Sequence, residues 1–251
     1  MYSDVADLRD FYASGLGQVA RRLLVHRLRR LWPDLAGMTV AGLGYAGPCL
    51  GVFRDECERV IAFMPAEQGV VHWPAEGPFA SSLVDEIELP MGDGTIDRLL
   101  IVHCLESTEN PRGLMREAWR VVAPGGRLVV VVPNRRGLWA RFEHTPFGHG
   151  RPYSRSQLAR LMRGAAFTPT AWEEALWVPP FRGRFLIRSA AAWERAGTFI
   201  RAMPPGVLLA EATKQVHAPI PAQPARARRR LVPALAGEPV PARRIAHRDG
   251  L

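Results

Sequence analysis

The stretch Leu89 to Asn134, LPMGDGTIDRLLIVHCLESTENPRGLMREAWRVVAPGGRLVVVVPN, decides the fold. Its turn DGTID places acidic residues just ahead of the apolar run LLIV, as expected before a buried strand. The segment NPRGLMREAWRVV has helical spacing and ends at APGG, whose glycines permit a sharp turn. The run RLVVVV is almost entirely aliphatic and β-branched, which is typical of a strand buried on both faces of a parallel sheet. The stretch therefore predicts strand, helix and strand in succession.

Further strands and helices alternate on both sides of this stretch. MTVAGLG, RVIAFMP and SLVDEIELP read as three strands before it, and SRSQLARLMRGAA reads as a helix after it, with Ser154 or Ser156 as its cap. TPTAWEEALWVPP and GVLLAEATKQVHAP read as late, antiparallel strands. The alternation predicts an α/β fold with a doubly wound, mostly parallel seven-stranded sheet. Ligands bind such sheets at the carboxyl ends of the strands, where the turn at 44–48 lies.

The residues that give the long stretch its character form an ordered series: Leu89-Pro90, Asp97, His103, Leu105-Glu106, the helix at 111–122 and Pro124-Gly125-Gly126. In this order they resemble the class I S-adenosylmethionine-dependent methyltransferases, especially the methyltransferase type 11 group. The resemblance extends more weakly from Met38 to about Pro219. It implies a Rossmann-like methyltransferase fold, S-adenosylmethionine as cofactor and transfer of a methyl group to an acceptor.

The stretch TVAGLGYAGPCLG, Thr39 to Gly51, takes the place of the family's cofactor loop but departs from its pattern. The family has an acidic residue followed by three alternating glycines, and here those positions hold Gly42, Gly44, Ala46 and Pro48. Alanine costs little there, and proline is tolerated at a helix start. The resemblance thus implies a divergent cofactor loop in which Gly44 keeps the close-approach position.

Two further positions of the family's cofactor site also differ. The family usually has an acid at the end of the second strand to bind the ribose, and Met64 stands there, with Glu67 as a possible substitute. The acid that meets the adenine falls on Asp85, with Glu86 next to it and Ile87 as a further adenine contact. The resemblance implies one cofactor-binding set: Gly42, Gly44, Tyr45, Met64, Asp85, Glu86, Ile87 and His103.

Other nucleotide sites are weaker interpretations of the same turn. Gly42, Gly44 and Gly47 formally spell GxGxxG, but the motif alone is weak and the ribose-binding acid would again fall near Met64. No Gly-Lys-Ser/Thr is present, which excludes a Walker phosphate loop.

The segment after the fifth strand, VPNRRGLWARFEHTPFGHGRPYSRSQL, is a candidate substrate loop, because polar and aromatic groups on loops above a rigid sheet often carry function. His144 and His149 are candidate general bases. Alternatively, these side chains pin the loop by bonding to backbone carbonyls. The predicted substrate contacts are Glu106, which follows the fourth strand, and Arg135, Trp139 and Tyr153.

The cysteines exclude several classes of site. Cys49, Cys57 and Cys104 form no CxxC pair and are odd in number, which argues against a disulfide framework or zinc site and indicates a reducing cytoplasm. The histidines have no zinc-like spacing with them, so no metal is predicted. The N-terminus has no apolar signal-peptide core, and no apolar run is long enough to span a bilayer.

The two ends of the chain are predicted to differ from the core. Residues 5–31 have helical spacing and arginines mostly off the apolar stripe, so we expect a helix packed on the core, with RNA or membrane contact as an alternative. The tail from Ala218 carries seven arginines against two acids, out of a net charge of +9, and lacks apolar periodicity. The predicted organisation is a helical segment at 1–36, a methyltransferase-like domain at 37–217 and a disordered basic tail at 218–251.

Three functions remain open at this point. The first is an S-adenosylmethionine-dependent methyltransferase with an unidentified small-molecule or protein acceptor. The second is a methyltransferase-fold protein that has lost catalysis and acts as a regulatory or scaffolding partner, as the missing acids suggest. The third is an RNA-associated protein that uses the arginine-rich helix and tail, whose binding would weaken steeply with salt. The sequence does not define the oligomeric state.

Overall fold

The computed structural model describes residues 2–181, 189–190, 192–194 and 204–215. Its centre is a seven-stranded sheet in the order β3-β2-β1-β4-β5-β7-β6. The strands are β1 Thr39–Gly44, β2 Arg59–Pro65, β3 Ser81–Val84, β4 Ile96–Val102, β5 Val122–Pro133, β6 Phe167–Ala175 and β7 Val207–Lys214. The helices are α1 Val5–Ala13, α2 Gly15–Leu31, α3 Gly47–Leu50, α4 Pro111–Val121 and α5 Arg155–Gly164.

The pairing of the strands confirms the predicted sheet. Strands β1 to β5 pair in parallel, and β7 lies antiparallel between β5 and β6. The strand order reverses at β1 and β4, where Gly44 is in register with Val102. The carboxyl ends of these two strands therefore form the switch point at which ligands bind in doubly wound sheets.

Two apolar clusters cover the two faces of the sheet. Leu114 and Met115 of α4 and Leu158 of α5 belong to one cluster. Leu24 and Leu28 of α2 belong to the other, together with residues of α3. Because helices cover both faces, β5 is buried on both sides, as its valine run predicts.

The expectation of one continuous N-terminal helix is wrong. Ser14 separates α1 from α2, and its hydroxyl accepts a hydrogen bond from Gly17 N–H, which starts α2. The Ser14 N–H donates to Asp10 O and Phe11 O, which ends α1. A serine that caps one helix and ends another lets the chain turn back on itself while the apolar periodicity continues.

Three arginines of α2 contact other parts of the protein and do not simply face solvent. Arg27 is buried, with its guanidinium 3.3 Å from Glu194 Oε1 and 3.6 Å from Glu173 Oε2. Arg29 pairs with Glu56, and Arg21 donates to Pro48 O. These three arginines therefore bind α2 to the rest of the domain, which leaves fewer cations for an RNA backbone.

The residues that make the fold recognisable brace a turn against a helix. Leu89 N–H donates to Glu117 Oε1 at 2.6 Å, and Arg120 donates to Leu89 O, Met91 O and Asp93. Asp97 Oδ2 accepts from Thr39 N–H at 2.9 Å, joining β4 to β1. The Leu-Pro turn and the opening aspartate thus have structural roles.

The predicted basic tail at 218–251 lies outside the described residues, so it and the proposed domain boundaries stay predictions. Among the residues that the structure does describe, none of the helices has the length and apolar character needed to cross a membrane.

Candidate active site

The turn after β1 packs tightly against its own chain. Gly44 has φ +84°, and a Cβ added to it would lie 2.2 Å from Val102 O. A Cβ on Gly42 would lie 2.5 Å from that of Ala46, and one on Gly47 would lie 2.9 Å from the indole of Trp73. Pro48 lies in the first turn of α3, as predicted. The glycines are thus required by close packing within the protein, whether or not a ligand approaches them.

Helix α1 covers the crevice between the ends of β1 and β4. Tyr12 of α1 stacks on Tyr45 at a ring-centroid distance of 5.7 Å, and its hydroxyl lies 2.8 Å from His103 Nε2. Leu8 joins the two tyrosines in a small apolar cluster. All four side chains are buried. We call these four residues the crevice cluster.

His103 links this cluster to a buried carboxylate. Its Nδ1 lies 3.4 Å from Glu106 Oε1, and neither carboxylate oxygen of Glu106 has a hydrogen-bond partner among the described residues. His103 has φ 52°, a strained conformation for a non-glycine residue, and its carbonyl accepts from Gln68 Nε2 at 2.8 Å. The end of β4 is therefore held from several directions.

The proton positions in the crevice follow from burial. Burial raises the pKa of Tyr12 well above its usual value, and the neighbouring Cys49 and Glu106 raise it further. The phenol therefore stays protonated at neutral pH. Its hydroxyl donates to Nε2 of His103 when the imidazole carries its proton on Nδ1, the nitrogen that faces the carboxylate of Glu106.

The other predicted cofactor contacts lie around this crevice. Met64 is fully buried near the end of β2. The carboxylate of Asp85 accepts from Ile87 N–H at 2.9 Å, and Glu86 accepts from the hydroxyl of Thr108 at 3.0 Å. The side chain of Ile87 is exposed. Both carboxylates that the family resemblance places at the adenine already hold bonds to the protein.

A cavity of about 1060 Å³ lies beside the crevice. Helix α1 contributes Asp7, Leu8 and Phe11 to its wall, and the candidate substrate loop contributes His144 and His149. Further carboxylates come from Asp4, Asp10, Glu67 and Glu143, and among the described residues no lysine or arginine lines it. Asp4 caps α1, and Asp10 pairs with Arg9.

The two candidate histidines are placed differently. Nε2 of His144 lies 2.7 Å from Pro180 O, so it donates to a carbonyl and pins the loop. His149 lines the same cavity, is exposed, and bonds to none of the described residues. The structure thus leaves His149 as the imidazole that is free to meet a ligand.

The predicted substrate contacts mostly hold the loop in place. Trp139 is buried and donates from Nε1 to Val178 O, and Tyr153 donates to Leu105 O. The Glu106 carbonyl accepts from Arg151 N–H at 2.7 Å. Arg135 is exposed, with its backbone N–H on Tyr153 O. None of these four predicted contacts lines the cavity.

Sequence reasoning missed Tyr2, Leu8 and Tyr12, which bring the N-terminus to the switch point. Tyr2 is buried, with its hydroxyl 3.4 Å from Cys104 Sγ. The signal in the sequence was the Phe11-Tyr12 pair just before a capping serine. Within the described part of the chain, no group of three or more His, Cys, Asp or Glu residues is placed to hold a metal.

Comparison with known proteins agrees with this topology. Residues 51–171 match a family described as a methyltransferase domain. A solved S-adenosylmethionine-dependent methyltransferase from Thermotoga maritima, described as a possible histamine N-methyltransferase, superposes with a TM-score of 0.57 at 16% identity. The match covers 84% of this chain and 96% of that one. The chain therefore has the class I methyltransferase fold, and residues 51–171 match a methyltransferase domain model.

Two other matches show the range of this likeness. The demethylmenaquinone methyltransferase of Tropheryma whipplei is 30% identical over 142 residues, which are 55% of this chain and 48% of that protein. The chain thus aligns with about half the length of this curated relative. The cyclase SpnF superposes with a TM-score of 0.54 at 22% identity, over 80% of this chain and 83% of its own.

The methyltransferase family implies S-adenosylmethionine, and the crevice can be tested for it. The positions of the missing acids hold Gly42 and the fully buried Met64. The atoms nearest to a Cβ on Gly42, Gly44 or Gly47 belong to the core and not to α1, whereas Tyr12 and Leu8 of α1 pack in one cluster with Tyr45 at the switch point. With α1 in this position, the residues do not fit the cofactor.

Proposed function

We propose that this chain is an S-adenosylmethionine-dependent methyltransferase whose acceptor is a small molecule bound in the cavity beside α1. The observation that carries the proposal is the position of that cavity. Tyr2 and Leu8 line it, while Tyr2 also contacts Cys104 just after β4 and Leu8 belongs to one apolar cluster with Tyr45, which follows β1. An acceptor bound there lies next to the switch point of a methyltransferase fold.

The size and charge of the cavity support a small acceptor that is not anionic. Its volume of about 1060 Å³ is at the upper end of ordinary small-ligand pockets. Asp7, Glu67 and Glu143 contribute negative charge, without a lysine or arginine from the described residues in the lining. A neutral or cationic acceptor such as an amine is favoured there over a phosphate or carboxylate. Histamine, the acceptor suggested for the Thermotoga maritima neighbour, is such an amine.

The chemistry required of the chain itself is modest. S-adenosylmethionine, when bound, supplies the methyl group. The chain orients the acceptor and, where the acceptor carries a proton, removes it. His149 is the free imidazole in the cavity, whereas His144 is engaged with Pro180 O. We assign proton removal to His149.

Titration calorimetry of the full chain with S-adenosylhomocysteine and S-adenosylmethionine tests the proposal. We expect saturable binding of both at micromolar to millimolar ligand. Methyl transfer from labelled S-adenosylmethionine to a panel of small amines should follow, with small carboxylic acids as poor acceptors. Absence of binding at millimolar ligand contradicts the proposal.

The filled crevice favours one second candidate, a methyltransferase-fold protein without catalysis that acts as a regulatory or scaffolding partner. Missing acids and a helix in the cofactor's place are what such a protein would have. This second candidate predicts that neither S-adenosylmethionine nor S-adenosylhomocysteine binds to the wild type or to a variant without residues 2–13. Binding to either form of the chain excludes it. The three free thiols support a cytoplasmic location for both candidates.

A further inference from the structure

Helix α1 forms a wall between the crevice and the cavity. Tyr12 and Leu8 contact the crevice side, whereas Asp7 and Phe11 line the cavity and Leu8 reaches both. Atoms that exchange a methyl group must come within about 3–3.5 Å of each other. A donor at the switch point and an acceptor in the cavity do not meet in this way while α1 stands between them.

Few polar contacts hold α1 against the sheet. The Tyr12 hydroxyl bonds to His103 at 2.8 Å, and Val5 N–H donates to Gln68 O at 2.9 Å. Gln68 in turn donates to the His103 carbonyl, so both contacts converge on the end of β4. A neutral hydrogen bond adds only modestly to the stability of a folded arrangement, because water offers a competing partner when the bond opens. The apolar contacts of Leu8, Tyr12 and Phe11 also hold α1, so the binding energy of a ligand must exceed both sets of contacts to displace the helix.

The boundary between the helices is suited to act as a hinge. Helix α1 has nine residues, fewer than an isolated helix needs to be stable, and it ends at Ser14. Helix α2 is anchored by Leu24 and Leu28, both fully buried. A Cβ on Gly17 would lie 1.9 Å from Phe11 O, so this glycine permits α1 to fold back over α2. Helix α1 can therefore leave the crevice without unfolding α2.

We infer that α1 is a displaceable plug, latched by Tyr12 on His103, that must leave the crevice before S-adenosylmethionine binds. This inference rests on the proposed function. Displacement removes Tyr12 and Leu8 from beside Tyr45, frees the imidazole of His103, and joins the crevice to the cavity. The closed form holds the cofactor site shut, so the apparent cofactor affinity is reduced by the fraction of molecules that are open.

A reversible lock on α1 tests this directly. A Cβ on Gly69 would lie 3.6 Å from the Cβ of Val5, within the range for a disulfide. The double variant Val5→Cys/Gly69→Cys therefore fixes α1 when oxidised and releases it when reduced. Any strain from the positive φ of Gly69 is present in both states. We expect S-adenosylhomocysteine, measured by calorimetry, to bind at least about tenfold more weakly to the oxidised form.

A milder variant tests the latch itself. Tyr12→Phe keeps the stack on Tyr45 but removes the hydroxyl that bonds to His103. We expect S-adenosylhomocysteine to bind this variant about fivefold more tightly, because the loss of one hydrogen bond changes the opening equilibrium by about that factor. Hydrogen exchange of the ligand-free protein should show faster exchange in α1 and unchanged exchange in α2. The matched control Thr170→Val removes a hydroxyl that bonds Glu211 far from α1, and should change neither measurement.

The outcomes separate the two proposals. Equal binding to the oxidised and reduced double variant overturns the plug and leaves the methyltransferase proposal intact. Slower or unchanged α1 exchange in Tyr12→Phe also overturns the latch. Failure of every form, reduced or oxidised, to bind at millimolar ligand overturns the proposed function and, with it, the need for an opening helix.

Discussion

The phenolic oxygen of Tyr12 lies 2.8 Å from Nε2 of His103, although the two residues are 91 positions apart in the chain. The bond joins the first helix to the end of the central strand β4, and the opposite nitrogen of the same imidazole faces the buried Glu106. The N-terminal segment thus reaches the carboxyl edge of the sheet at its switch point, where the sequence predicts cofactor and substrate contacts.

Replacing Gly44 should damage the fold before it affects any ligand. Gly44→Ala introduces a Cβ 2.2 Å from Val102 O at φ +84°. We expect a loss of about 3 kcal/mol in the free energy of unfolding, measured with urea. Gly164→Ala, at the end of α5 with nothing within 4 Å, is the control and should be neutral or slightly stabilising. Equal stability of the two variants contradicts the packing account.

The brace at Glu117 should make stability depend on acid pH. Burial acts to raise the pKa of Glu117, but the hydrogen bonds from Arg120 and from Leu89 N–H outweigh it and hold the pKa below its ordinary value of 4.5. The stabilisation that ionised Glu117 gives to the folded state is complete above the ordinary pKa. It is lost as the pH falls through the lower pKa that Glu117 has in the folded state.

Glu117→Gln should therefore lose about 1–3 kcal/mol at pH 7, and the difference from wild type should shrink as the pH falls below about 4.5. Urea titrations at several pH values measure this. Glu109→Gln, at an exposed position, is the matched control. A difference that is constant with pH, or that grows in acid, would rule out an ionised Glu117 as the source.

The thiols should be unreactive in the folded protein. Burial raises the pKa of Cys49 to about 12 and that of Cys57 to about 11, and it raises the pKa of Cys104 as well. At about pH 8 very little thiolate is present, so a disulfide reagent should react slowly with the native chain and with all three thiols after unfolding. The rate should rise about tenfold per pH unit toward about pH 11. Rapid native labelling of Cys49 would contradict this burial.

Substitution of the two loop histidines should have different effects on activity and stability. His149→Ala removes an exposed imidazole with no described partner, so stability should change by less than about 0.5 kcal/mol. Methyl transfer to amines that must lose a proton should fall by about 10²–10⁴-fold. His144→Ala loses its bond to Pro180 O and should lower stability by about 1 kcal/mol. Equal activity of His149→Ala and wild type would remove His149 from the proposed chemistry.

The sheet was predictable because its signals are local. The valine run of β5 and the late antiparallel strands follow from spacing between residues that are close in the chain, whereas the predicted turn at Pro124 to Gly126 lies inside β5 as an irregularity in its pairing with β4. The break at Ser14 was harder, because the apolar stripe continues through it and only the cap marks the turn. The Phe11-Tyr12 pair before the capping Ser14 marks an aromatic end of α1, but nothing near Tyr12 in the sequence indicates that its partner is His103.

The candidate site was only partly predictable for a related reason. His144 and His149 look equivalent as residues in a polar loop, and only the carbonyl of Pro180 distinguishes them. Trp139 and Tyr153 were expected to meet substrate, yet they support the loop from beneath. Asp85 and Glu86 stand where the family resemblance places them, but local bonds engage their carboxylates.

The bonds among Leu89, Glu117 and Arg120 have a consequence for the ancestry of such chains. They hold a turn to a helix, so a descendant that changed or abandoned its chemistry would still need them to fold. The residues around the crevice could therefore change, and the reaction with them, while these bonds keep the scaffold folded.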